Sequence, residues 1–221
     1  MKRQVIQTSD GSSTFYIPEL NEHYHSKFGA LTESMHIFIK NGLLQSDAEN
    51  INVLEIGFGT GLNAILTLVE SEKLKRDICY EAIEKYPLSW EEVELLHYDA
   101  IINSNFYSIL RDMHHCKWEV ITHIHQYFML KKVKTDLLNY QTSNKFDVIY
   151  FDAFAPDLQP DLWSAEIFTK LYSSLNNNGI LVTYSTKGTV KRNLTGAGFK
   201  IEKFTGPEGG KKECLRAIKI I

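Results

Sequence analysis

Residues 53–63 read Val53-Leu54-Glu55-Ile56-Gly57-Phe58-Gly59-Thr60-Gly61-Leu62-Asn63. An apolar run this short, ending in glycines and followed by Leu62-Asn63-Ala64-Ile65-Leu66, predicts a buried strand, a tight loop and a helix. Glycine lets the chain turn through positive φ and lets a ligand approach bare backbone. N–H groups at the start of the next helix can then meet a polar or anionic group. The segment therefore predicts a nucleoside site, and with it an enzyme. Spacing narrows the ligand. The dinucleotide fingerprint G-x-G-x-x-G needs a third glycine where this chain has Leu62, so NAD fits poorly.

Outward from that segment, strands and helices alternate. Strands are expected at 52–56, 78–83, 119–124, 128–133, 146–151 and 180–184, the third and fourth as a hairpin. Helices are expected at 62–71, 88–96, 103–113, 162–175 and 189–197, with 200–205 and 214–220 as a closing antiparallel pair. This pattern gives an α/β, Rossmann-like, mostly parallel doubly wound sheet with an antiparallel closing strand. Residues 1–50 differ. Two short strands flank Asp10-Gly11 as a hairpin, and Leu31, Met35, Phe38 and Ile39 share one face of a helix over 30–41. The division is thus an N-terminal extension, 1–50, covering a core domain, 51–221.

The bulk numbers exclude more than they assign. A chain of 221 residues with 43% hydrophobic content suits one domain with a sizeable core. A net charge of −3 gives no global attraction to nucleic acid. The sum hides an asymmetry: nine Lys/Arg lie between Lys187 and Lys219 against Glu202, Glu208 and Glu213. Such a run is either a solvated face or a binding patch. Cys79, Cys116 and Cys214 lack C-x-x-C spacing, which favours a reducing compartment, and Met1 to Thr14 has no apolar signal region. A cytoplasmic protein without a membrane span is expected. The paired histidines (23/25, 114/115, 123/125) join no Cys or carboxylate cluster, so no metal site is expected.

In open α/β sheets, ligands bind beyond the carboxyl ends of the strands. Glu84, at the end of the second core strand, can accept from both ribose hydroxyls; the plain alternative is an exposed Glu paired with Lys85. Asp136 stands between a short strand and an expected helix, where an N-cap is the alternative to a ligand contact. Phe146–Phe151 ends in Asp152, followed by Ala153-Phe154-Ala155-Pro156 and, further on, Trp163. A carboxylate there suits an amine, and a turn aspartate is the alternative.

Glu55-x-Gly57-x-Gly59-x-Gly61 after a hydrophobic strand resembles motif I of the class I S-adenosyl-L-methionine methyltransferases. That resemblance implies Glu55, Gly57, Gly59, Thr60, Gly61 and Asn63 around the methionine moiety. It also implies Asp136, with Leu137, at the adenine. Four blocks sharpen it: Tyr24–Phe38, Glu55–Asn63, Phe151–Trp163, and Thr183–Gly188 continuing through Leu194–Phe199 to Gly210–Leu215. Together they resemble the MnmC-type methyltransferase domain, which acts on the wobble uridine of bacterial tRNA. The resemblance implies methylation of the 5-aminomethyl group of (2-thio)uridine in the anticodon loop, with Asp152 as the catalytic orienting carboxylate. Phe154, Pro156, Trp163 and Tyr184 would line the acceptor or stack on the flipped base. Lys187, Lys191, Arg192, Lys211 and Lys212 would contact phosphates. In some family members a flavin-dependent oxidase domain prepares the amine; in a chain ending at Ile221 a separate flavin oxidase is one possible source of it. Two departures are visible. Ala153 replaces an expected glycine, and the overall charge is slightly acidic for a tRNA binder. The rival reading is an aminopropyltransferase of the spermidine-synthase type, or a methyltransferase for another small-molecule or protein amine.

Overall fold

In the computed structural model, which describes residues 2–220, two sheets form. A small antiparallel sheet joins β1 (Gln4–Gln7), β2 (Ser13–Ile17) and β3 (Glu22–His23). The large sheet comprises β4 (Ile51–Ile56), β5 (Ile78–Glu84), β6 (Thr122–His125), β7 (Phe128–Lys134), β8 (Phe146–Phe151), β9 (Leu175–Thr183), β10 (Lys200–Thr205) and β11 (Glu213–Ile218). Its order is β10-β11-β9-β8-β4-β5-β7-β6. Strands β9, β8, β4, β5 and β7 run parallel, while β6, and β11 between β9 and β10, run antiparallel to their neighbours. This is the doubly wound sheet expected from the alternation. Central strands β4 and β8 are almost continuously buried, as strands covered on both faces must be.

The chain leaves β4 toward β5 and β7, then returns to β8 on the other side of β4. The switch point therefore lies between the carboxyl ends of β4 and β8, where a cleft is expected. Ile56 is in register with Phe151 there, so Gly57 and Asp152 emerge side by side.

Six α-helices cover the sheet: α1 (Ala30–Ser34), α2 (Leu62–Leu74), α3 (Trp90–Glu94), α4 (Ser104–His115), α5 (Ala165–Ser174) and α6 (Gly188–Gly196). Helix α2 is buried nearly all round from Leu62 to Leu68, because it lies inside one of the two core layers. The 30–41 helix differs from expectation. After α1 the turns widen into a π-helix, Met35–Lys40, and Ile37, Phe38 and Ile39 are all buried. Asn41 Nδ2 donates to the His36 carbonyl, back across five residues, at its end (2.7 Å). Phe15, Ala30 and Leu43 share the core that holds β4 and α2, so the stretch between Phe15 and Leu43 is anchored in the main body.

Three other expectations change. No helix follows Asp136; residues 136–140 make one turn, closed by Tyr140 N–H on the Asp136 carbonyl (3.0 Å). The 162–175 helix is split. A short 3-10 turn, Pro160–Trp163, precedes α5, and the Ser164 side chain caps α5 by accepting from Ile167 N–H. The strand expected at 180–184 begins at Leu175 and takes in Asn178, at φ 61°, before ending at Thr183. Tyr184 therefore lies beyond the strand.

Candidate active site

A cleft of about 510 Å³ opens at the switch point. Gly57, Gly59, Thr60 and Asn63 from the β4–α2 loop line it, with Glu84, Asp136, Leu137, Asp152 and Phe154. Gly57, Gly59 and Gly61 all have positive φ (96°, 50° and 74°). At Gly57 a Cβ would lie 3.0 Å from the Asp152 carbonyl oxygen, so the two strand ends approach closely only through a bare backbone. Gly57 and Phe58 donate to the Ile83 carbonyl, and Gly59 donates to Glu84 Oε2 at 3.0 Å. The Leu62 and Asn63 N–H groups, in the first turn of α2, have no backbone acceptor among the described residues and are available to a ligand.

Glu84 binds the loops on both sides of the cleft, accepting from Gly59 N–H and, through Oε1, from Tyr86 N–H at 2.8 Å. It does not pair with Lys85. That ammonium reaches Asp136 instead, at 2.8 Å. Asp136 also accepts from Leu138 N–H (3.0 Å). Partial burial pushes its carboxyl up, but the Lys85 bond and the Leu138 N–H outweigh this and hold it below the ordinary range. A carboxylate has about four lone-pair sites, so these contacts leave both Glu84 and Asp136 able to accept more.

Glu55 and Gly61 do not line the cleft. Glu55 lies beneath its floor, 1% exposed. Asn63 Nδ2 donates both to Glu55 Oε1 (3.0 Å) and to Asp152 Oδ2 (2.9 Å). Burial first, then the Asp152 charge, push the Glu55 carboxyl well above the usual range. Its Oε2, the Asn63 Oδ1 and the Tyr80 hydroxyl are buried without partners among the described residues. Burial and the Glu33 charge also push Asp152 up, to about 7, against the pull of Asn63 and Lys211.

The acceptor side departs from expectation at several residues. Trp163 is 2% exposed, packed against Phe151 and Phe168, and its indole N–H donates to the Phe154 carbonyl at 2.9 Å. It cannot stack on a base; it positions Phe154. Pro156 is buried and lines no part of the cleft. Tyr184 also lies off the cleft, and its hydroxyl donates to the Ala153 carbonyl (2.8 Å). Its ring face is covered by the Lys211 ammonium, 3.6 Å from the ring centroid. Lys211 thus faces inward and away from any phosphate role, and Lys187 is paired with Asp157. Lys191, Arg192 and Lys212 have no ion-pair partner among the described residues.

The N-terminal wall was missed. Arg3, Ile17, Leu20, Tyr24 and His25 line the cleft from the small sheet and the residues flanking its strands. Tyr24 meets Phe154 edge to face at 5.3 Å, and its hydroxyl accepts from Arg3 Nε, which in turn pairs with Glu92. The available signal was the block beginning at Tyr24, but nothing in its spacing assigns a side chain to a cleft 30 residues downstream.

The donor set suits a nucleoside carrying an amino-acid tail. Glu84 and Asp136 supply carboxylates, and the glycine loop supplies bare backbone and orphan N–H groups. Comparison with known proteins agrees. Residues 122–220 match a family described as S-adenosyl-L-methionine-dependent methyltransferase. Over those residues the chain is similar to the S-adenosyl-L-methionine-dependent methyltransferases, a likeness that supports S-adenosyl-L-methionine as the cofactor. Within that class it is similar to the tRNA 5-methylaminomethyl-2-thiouridine biosynthesis bifunctional protein MnmC of Leptospira interrogans, 30% identical over 89% of this chain and 32% of that protein. The MnmC of Cupriavidus metallidurans is 30% identical over 97% of this chain and 33% of its own length. The chain spans about a third of the length of these relatives. Among solved structures, MNMC2 from Aquifex aeolicus superposes with a TM-score of 0.76 at 22% identity, over 98% of this chain and 69% of that one. Spermidine synthase from Thermotoga maritima gives 0.55 at 17%, over 99% and 74%. These two likenesses bear on the fold alone. No helix among the described residues is long and apolar enough to cross a membrane.

Proposed function

We propose that this chain methylates the 5-aminomethyl group of (2-thio)uridine at the tRNA wobble position. The observation that carries the reading is Asp152: a carboxyl beside the glycine-loop cleft, tied to Asn63 and pushed up to about 7. An alkylamine with a pKa of roughly 10 is mostly protonated at neutral pH and must lose a proton before it can attack. A carboxylate of such raised affinity can orient the ammonium and take up its proton. When bound, S-adenosyl-L-methionine supplies a methyl group on a sulfonium, which leaves as the neutral thioether as the acceptor nitrogen bonds to the methyl carbon.

The chain's own residues do the rest. Glu84 and Asp136 would hold the ribose and adenine, with Leu137 beside the base, and the β4–α2 loop would hold the amino-acid tail. Asn63 fixes Asp152 relative to the loop. Phe154, held by Trp163 and by the edge of Tyr24, closes the mouth and excludes water. Residues 1–50 act as a cover on a methyltransferase domain of 51–221, in a cytoplasmic enzyme. The tRNA is bound at its anticodon loop, and a flavin-dependent oxidase activity supplies the amine. The names of the MnmC relatives support this choice of acceptor.

The test is mass-spectrometric nucleoside analysis of tRNA carrying 5-aminomethyl-(2-thio)uridine, incubated with the protein and S-adenosyl-L-methionine. Appearance of the 5-methylaminomethyl product is expected. Transfer of an aminopropyl group from the decarboxylated cofactor to a polyamine, with no change in the tRNA, would establish the rival reaction instead.

A further inference from the structure

Glu33 and Lys211 both fall in the sequence blocks that carry the resemblance, yet the mechanism above leaves the two residues unused. Helix α1 carries Glu33, and the turn between β10 and β11 carries Lys211, close enough for both charges to act on the Asp152 carboxyl. Lys211 as a residue is exposed, yet its ammonium lies 3.6 Å from the centroid of the Tyr184 ring. The Tyr184 hydroxyl bond to the Ala153 carbonyl fixes that ring next to Asp152 (2.8 Å). Glu33 gives one oxygen to Ser26 N–H at 2.8 Å, and its other oxygen has no hydrogen-bond partner among the described residues.

The contacts of Lys211 are those of a cation held loosely. Burial lowers its proton affinity, while the carboxylates of Glu33, Glu22 and Asp152 counter that loss. Among the described residues no carboxylate closes on it as an ion pair, whereas Asp157 does so on Lys187 and Glu213 on Lys203. A lysine stem is flexible, with three rotatable N–H donors at its tip. It can leave by changing rotamer, without any movement of the backbone. An aromatic face beside carboxylates is a general arrangement for alkylammonium ions.

We infer that the Tyr184 face, with the carboxylates of Glu33 and Asp152, is the seat of the acceptor's alkylammonium group, and that Lys211 fills it until the acceptor arrives. A lysine tip and an aminomethyl group present the same chemistry, a primary ammonium on a methylene carbon. The inference rests on the methyl-transfer reading above and adds two residues, Glu33 and Lys211, to acceptor selection. It also gives Tyr184 a role other than base stacking. A neutral hydroxyl or carbon acceptor would not displace Lys211, so the seat would select for amines.

The test titrates n-propylammonium into wild type, Lys211→Met and Lys211→Met/Glu33→Gln, each with S-adenosyl-L-homocysteine bound. The Tyr184 ring is followed by NMR of tyrosine-labelled protein. Lys211→Gln serves as a second way to empty the seat. Emptying it is expected to tighten propylammonium binding by about tenfold or more, and removing the Glu33 charge to lose most of that gain. Equal affinity in wild type and both Lys211 variants, or a gain indifferent to Glu33, would overturn the proposal. The tRNA assay is run alongside. Propylammonium gain without tRNA methylation by wild type would sink the tRNA reading and keep the seat. Methylation without the gain would do the reverse.

Discussion

Asp152 lies between groups that pull its proton affinity in opposite directions. Burial and Glu33 raise it, whereas Asn63 Nδ2 and the Lys211 charge lower it, and the balance falls at about 7. The base form is needed to accept a proton, so kcat/KM should rise with pH through an apparent pKa near 7. Asp152→Asn should reduce kcat by about 10²–10⁴-fold and leave S-adenosyl-L-methionine affinity within a small factor. Unchanged turnover in that variant would remove Asp152 from the chemistry. The Asn63 bridge makes a second, signed expectation. Its N–H favours the charged form of Asp152, so Asn63→Ala should move the acid limb of the pH profile upward. A limb that stays in place would mean the titrating group is another one. At this scale the sequence was informative about strand ends. Glu84, Asp136 and Asp152 all reach the cleft because residue order along a strand dictates which side chain emerges at its end. Trp163 and Tyr184 misled for a related reason. Aromatic identity says nothing about whether a ring is free, and here one is packed in the core and the other is covered by a lysine.

The β4–α2 loop is an element whose shape depends on its supports. Helix α4 places His114 so that its Nε2 donates to the Thr60 carbonyl at 3.0 Å, and Tyr98 donates to Thr60 Oγ1 at 3.2 Å. Burial and the Lys132 charge hold His114 far down, to about 4, against the Thr60 bond, so it is a neutral donor at working pH. Its folded value lies below the ordinary 6.5. Its contribution to stability is therefore present above pH 6.5 and is lost as pH falls toward 4. Thermal melting points should drop over that window, and His114→Gln should flatten the drop. An identical pH profile in the variant would show that other groups govern it. The same contact makes Gly61 intolerant of a side chain. At φ 74° a Cβ would meet His114 Nε2 and the Leu110 side chain at 3.0 Å. Gly61→Ala should cost at least about 1 kcal/mol of stability and raise the KM for S-adenosyl-L-methionine more than it lowers kcat. A variant with wild-type KM would show that the loop conformation tolerates the change. Element types were legible because strand and helix periods differ over the core. The one-turn segment at 136–140 and the π-helix at 35–40 were not. Both are set by contacts with distant elements, and local propensity carries no trace of those.

At the scale of the whole molecule, the proposed acceptor is a polyanion, whereas the chain's net charge is −3. Most of the basic C-terminal run is already engaged. Lys187 pairs with Asp157, Lys200 and Arg216 with Glu202, and Lys203 with Glu213. Lys211 lies on Tyr184, and Lys219 donates to the Leu175 carbonyl over the Tyr172 ring. Lys191, Arg192 and Lys212 remain, on α6 and the β10–β11 turn. The cleft mouth is walled on its other side by the small N-terminal sheet, which no strand–helix alternation could have placed. If these three residues carry the phosphate contacts, binding of an anticodon stem-loop should show a log–log salt slope of roughly −2 to −3, since each neutralised phosphate contributes about 0.7–0.9. Replacing all three by alanine should bring the slope near zero and weaken binding alike for every stem-loop sequence. Cofactor affinity should stay unchanged, because none of the three lines the cleft. A slope unaltered by the triple replacement would place the RNA on another face. Arg3 and Lys85, which line the cleft, and Lys27 would then be the next to replace. Two of them are tied to carboxylates, Arg3 to Glu92 and Lys85 to Asp136. A shift of binding to that wall should therefore bring a loss of cofactor affinity that the C-terminal face does not.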